Sequence, residues 1–126
     1  MRAVDTNILV RLLTRDDAKQ VAAAEAFIVN GAWVPQLALA EATWVLDSVY
    51  ERDRAAIAKA VEMLLRHDRL TLQESETVTA ALDDFTKRSG VSFSDCLMLA
   101  VARKNGHRPL GTFDRHLAKL DGVQPL

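Results

Sequence analysis

At 126 residues, 49% of them hydrophobic, the chain is long enough to bury one core and too short for two, so residues 1–126 read as a single domain. Charged residues make up 26%, and no stretch is dominated by Gly, Pro, Ser or Gln, which excludes a disordered or low-complexity chain. A net charge of -1 excludes binding to nucleic acid through a large non-specific positive field; the single cysteine, Cys96, excludes an intrachain disulfide and a cysteine-based zinc site and makes the reducing cytoplasm the expected compartment.

In chain order, Arg2-Ala3-Val4-Asp5 predicts a short first strand ending at Asp5. Ile8, Leu9, Leu12 and Leu13 then recur at helical spacing, with Thr6 and Asn7 as capping residues. Asp17 caps the next helix, whose apolar face is Val21, Ala24 and Ile28 and whose stop signal is Gly31. Ala32-Trp33-Val34 is a second strand closed by Pro35. From Gln36 to about Tyr50 the pattern is helical, with Leu37, Ala40, Trp44, Val45 and Ser48 on related faces. Asp53 opens a helix carrying Ile57, Val61, Leu64 and Leu65, which His67-Asp68 breaks before the strand Leu70-Thr71-Leu72.

Ser75 starts the next helix, with Val78, Ala81, Leu82 and Phe85 as its buried stripe and Gly90 at its end. Phe93 or Ser94 leads into a helix of Leu97 to Ala102 that Gly106 terminates. Arg108 to Gly111 and Val123 to Leu126 are candidate strands around a helical turn from His116 to Leu120, weakened by Pro109 and Pro125, which cannot donate to a ladder. Strands alternating with helices of this length imply a three-layer α/β/α domain on a mostly parallel sheet. No apolar run approaches the roughly 18 residues of a membrane span, and an acid at position 5 does not fit a secretory signal.

Ligands of a parallel α/β sheet sit beyond the carboxyl ends of its strands, and acids fall there. Asp5 closes strand one, Asp114 follows the strand near Leu110, and Asp95 lies in the first turn of a helix. Glu41 sits one turn into the helix after strand two. Asp95 and Glu41 are set in largely apolar sequence without a nearby Lys or Arg, and a desolvated carboxylate needs a partner. Clustered carboxylates are the hard-oxygen donors that Mg²⁺ or Mn²⁺ prefers. Each acid also has a plain structural use: Asp5 and Asp114 as helix caps, Asp95 as a first-turn acid favoured by the helix dipole, Glu41 as an exposed helix residue.

The segments Val4-Asp5-Thr6-Asn7-Ile8-Leu9-Val10, Leu39-Ala40-Glu41, Phe93-Ser94-Asp95-Cys96-Leu97-Met98-Leu99-Ala100 and Thr112-Phe113-Asp114-Arg115 resemble, in order and spacing, the motifs of the PIN-domain nucleases, specifically the VapC-type toxins of toxin–antitoxin pairs. The resemblance spans nearly the whole chain. It implies that Asp5, Glu41, Asp95 and Asp114 form an acidic site supported by Asn7 and Thr112. Asp5 and Asp95 are its foremost metal ligands, while Glu41 and Asp114 bind a second ion, act through water or position substrate.

It further implies Mg²⁺- or Mn²⁺-dependent endonucleolytic cleavage of structured RNA such as tRNA or ribosomal RNA, leaving 5′-phosphate and 3′-hydroxyl ends. A homodimer and a small VapB-like antitoxin are the implied partners. Arg11, Arg15, Lys87, Arg88 and Arg115 are candidates for RNA phosphate contacts, although each taken singly is better read as part of a solvated helix face.

Other residues fit less well. The three histidines lack metal spacing, Cys96 reads as a buried structural thiol, and Trp33 and Trp44 as residues of the core or a subunit interface, with stacking on a base as the alternative. A haloacid-dehalogenase phosphatase needs a second Asp where Asn7 stands, and a receiver domain needs one where Gln73 follows the third strand. A catalytically silent RNA- or protein-binding module is the remaining alternative, and its mark would be a missing acid.

Overall fold

The computed structural model describes residues 1–126, which divide into two compact units, Met1–Ser75 and Glu76–Leu126. In the first, β1 (Arg2–Ala3), α1 (Thr6–Thr14), α2 (Ala18–Ile28), β2 (Ala32–Val34), α3 (Gln36–Ser48), α4 (Arg54–Arg66) and β3 (Leu70–Leu72) follow one another. Both strand connections pass through a helix pair, so β1-β2-β3 forms a parallel sheet in sequence order, with Ala3 opposite Trp33 and Val34 opposite Leu72. Ala32, Val34, Leu70 and Leu72 point into the core, where α1 packs against α2 and α3.

The second unit contains α5 (Ser75–Lys87, its first residue on the division), α6 (Phe93–Lys104), β4 (Leu110–Thr112), a single 3₁₀ turn (Leu117–Lys119) and β5 (Val123–Pro125), the last pairing in parallel with β4. Every strand pairing is parallel, and the fold is of the α/β/α three-layer class expected. Pro125 is accommodated because Leu126 N–H donates to Thr112 O. The proline nitrogen, one residue earlier, faces the other side of the strand. Cys96 forms no disulfide and is buried, as expected.

Several expectations are corrected. The first strand stops at Ala3; Val4 still donates to Trp33 O at 3.0 Å, but Asp5 belongs to α1 as its N-cap, so neither Thr6 nor Asn7 caps it. On α3 the buried face is Ala38, Leu39, Ala42, Thr43 and Leu46, whereas Leu37, Trp44 and Ser48 are exposed. Helix α6 begins at Phe93 under the cap of Ser92, and β4 is shifted to Leu110–Thr112.

Candidate active site

In the first unit Asp5 has extended backbone, and its Oδ1 accepts the Ile8 N–H at 3.1 Å, which satisfies one of the open donors at the start of α1. One carboxylate oxygen is thereby used and Oδ2 is left free. Because Asp5 holds the cap position, the Thr6 hydroxyl is released from capping. It donates to Glu41 Oε2 at 2.7 Å, fixing the α3 carboxylate to the start of α1. Thr6, a capping residue by sequence, thus bonds the Glu41 carboxylate instead. The signal available was its place directly after a better-suited cap.

Glu41 itself is exposed. The apolar neighbours that implied a desolvated charge, Leu39 and Ala42, turn to the opposite side of α3, so its charge is carried in water. Asp5 and Asn7 line a cavity of about 370 Å³ with Ile8, Arg11, Gln20 and Phe27.

In the second unit Ser92 Oγ accepts the Asp95 N–H at 3.1 Å and fixes the first turn of α6. Ser92-Phe93-Ser94-Asp95 has the spacing of a capping box, in which the acid returns a bond to the cap residue's N–H. Here that second half is not formed, and the half-buried Asp95 carboxylate stays available. Asp114 is held more tightly. Its N–H donates to Thr112 Oγ1 at 3.0 Å, and its Oδ1 accepts from His116 N–H at 2.8 Å and Leu117 N–H at 2.9 Å. The Leu117 N–H above all, then the His116 N–H and imidazole charge, hold this carboxyl below its ordinary range against the opposing effect of burial.

None of the four acids is consumed by an ion pair, and each keeps at least one carboxylate oxygen without a protein donor. As hard anionic oxygens they suit Mg²⁺ or Mn²⁺. Within either unit, however, no three His, Cys, Asp or Glu side chains are grouped to hold a metal ion by themselves.

Three of the five basic candidates are engaged in ion pairs. Arg11 donates to Gln20 Oε1 and, at 3.0 Å each, to Asp16 Oδ1 and Tyr50 OH. Asp16 in turn accepts from Tyr50 and Thr14, and these bonds, Tyr50's first, lower its pKa, with Arg11 contributing charge. Arg15 pairs with Glu25 and Lys87 with Asp83. Arg88 and Arg115 are exposed. Trp33 is half-buried but Trp44 is not part of the core.

This fold and its acids place the chain in a known class: it belongs to the PIN domain family, which it matches over residues 2–123. It is similar to a VapC ribonuclease of Aquifex aeolicus (strain VF5), at 27% identity over 126 residues, covering 95% of this chain and 92% of that protein. No solved structure matches it. No helix is long and apolar enough to cross a membrane.

Proposed function

We propose that this protein is a Mg²⁺- or Mn²⁺-dependent endoribonuclease, the toxin of a toxin–antitoxin pair, acting in the cytoplasm on structured RNA such as tRNA or ribosomal RNA. Membership of the PIN domain family over nearly the full length carries this reading, together with the name of the Aquifex relative. Residues 1–126 then act as one PIN domain, working as a homodimer restrained by a small VapB-like antitoxin.

Asp5 and Asp95 would hold the metal, with Glu41 and Asp114 as further acidic ligands or positioning groups. The chemistry a bound ion supplies is charge against the phosphoryl oxygens and a lowered pKa for the attacking water. This chain's own residues do the rest. Thr6 orients Glu41, the Leu117 and His116 N–H groups keep Asp114 ionised, and Thr112 fixes the loop that carries it. Asn7, exposed in the first turn of α1 and lining the same cavity as Asp5, would meet substrate there.

The test is cleavage-site mapping on total cellular RNA with purified protein, with Mg²⁺ or Mn²⁺ and with chelator, against the D95N variant. Discrete cuts with 5′-phosphate ends are expected only for the wild type with metal. Cleavage that persists after rigorous metal removal would overturn the metal dependence. The rival is a catalytically silent RNA- or protein-binding module. RNA binding equal in wild type and D95N, with no cleavage by either, would establish that rival.

A further inference from the structure

Two of the candidate acids lie within three residues of an aromatic ring left in solvent. Trp44 follows Glu41 by three residues on α3 and is 61% exposed, while Phe113 directly precedes Asp114 and is 85% exposed. The remaining aromatic residues are covered: Phe85 and Phe93 are buried edge to face, and Phe27, Trp33 and Tyr50 are half-buried. A spacing of three on a helix puts Trp44 on the same face as Glu41. Leu37, four residues before Glu41 and 70% exposed, extends that stripe. Each exposed ring therefore lies within three residues of an acid of its own unit.

Electrostatics explains why an RNA-cleaving protein of this composition needs them. Phosphate contacts ordinarily supply most of the affinity for nucleic acid, yet the net charge here is -1, and Arg11, Arg15 and Lys87 each have a carboxylate partner within 3.0 Å. Carboxylates at the cleavage site repel the backbone further. Stacking on an exposed ring is independent of charge and tolerant of sequence. It is open only to unpaired bases, because those of a duplex already stack on one another.

We propose that Trp44 and Phe113 are base-stacking platforms, each receiving an unpaired nucleobase so that the adjoining phosphodiester chain is held beside Glu41 and Asp114 respectively. This rests on the nuclease reading and gives two residues a role in it: unpaired bases would be discriminated from duplex at these two rings. Both are positioning residues that bind the substrate, and neither enters the chemistry.

Trp44 reports on itself once Trp33 is replaced. In a W33F/D95N background, in which turnover is removed, a short single-stranded RNA of mixed sequence is expected to change Trp44 emission saturably, and the same RNA as a perfect duplex is expected not to. By anisotropy of labelled RNA, W44L and F113L each weaken binding about tenfold, whereas W44F and F113W stay within about twofold of the parent. In the cleaving protein the same leucine changes raise KM and leave kcat nearly intact.

Emission indifferent to single-stranded RNA, or affinity untouched by W44L and F113L, overturns the proposal. So does a Trp44 signal that follows protein concentration alone while W44L dissociates a dimer, since the face is then a subunit contact. Failure of the nuclease reading shows separately, as absent metal-dependent cleavage by the wild type whatever the binding.

Discussion

Asp5 illustrates how one side chain can satisfy a structural and a chemical demand together. One oxygen caps α1 and the other is free, so truncation confounds the two uses. D5A removes both and is expected to lower stability by about 1 kcal/mol while abolishing cleavage. Asparagine caps a helix as well as aspartate does, so D5N should keep the denaturation midpoint close to that of the wild type yet still lose cleavage. A D5N protein with full activity would reduce Asp5 to a cap. Asp114 makes a different prediction, about pH. Its pKa is lowered below the ordinary 3.8 by N–H groups that prefer the anion. The stability this contributes is complete above that ordinary value and is lost as pH falls through the lower, folded one. Compared by thermal unfolding, wild type should exceed D114N at neutral pH, and the gap should close only at pH values below 3.8. The acid limb of a cleavage profile then has to come from a group other than Asp114.

At the level of elements, the turn before α6 depends on Gly90, whose φ of +78° favours glycine. A Cβ there would lie 2.6 Å from His116 Nδ1, so the imidazole beside the Asp114 cap would have to turn away. Gly106 has φ of +77° and open space around it, so it carries the backbone cost alone. Both G90A and G106A should lose about 1–2 kcal/mol to the left-handed backbone. G90A should lose more, and H116A should remove the difference between them, as read from urea midpoints at constant m. The elements also show what a sequence can and cannot convey. Caps such as Asp17 and Asp53 and the closing Pro35 were legible, because a single residue's chemistry sets each boundary. The inward face of α3 was not. Leu37 and Trp44 dominate its periodicity, but close packing against α1 selects the small Ala38, Ala42 and Thr43, the last satisfying its hydroxyl on Ala40 O. The same rotation accounts for Glu41, whose apolar neighbours in sequence are not its neighbours in space.

For the whole molecule, the acids that the resemblance named are divided by the chain's own organisation, Asp5 and Glu41 in Met1–Ser75 and Asp95 and Asp114 in Glu76–Leu126. Their order along the chain was legible because motifs are local. The bond from Thr6 to Glu41 was not, because it joins residues 35 positions apart through a turn of backbone that only the fold supplies. This division makes metal binding a property to be tested on the intact chain. An ion that binds the native state and not the unfolded one raises stability by RT ln(1 + [L]/Kd), about 2.7 kcal/mol at a hundredfold excess over Kd. Mg²⁺ should therefore raise Tm by several degrees in the wild type. If ligands from both units are required, D5N and D95N should each abolish the increment, although each alters a different unit. An increment lost in D5N and retained in full by D95N would confine the cation to the first unit, and Asp95 would then have to be assigned to substrate. Measuring both variants with Ca²⁺ alongside Mg²⁺ separates specific ligation from relief of like-charge repulsion, since Mg²⁺ demands near-octahedral geometry and Ca²⁺ accepts looser arrangements.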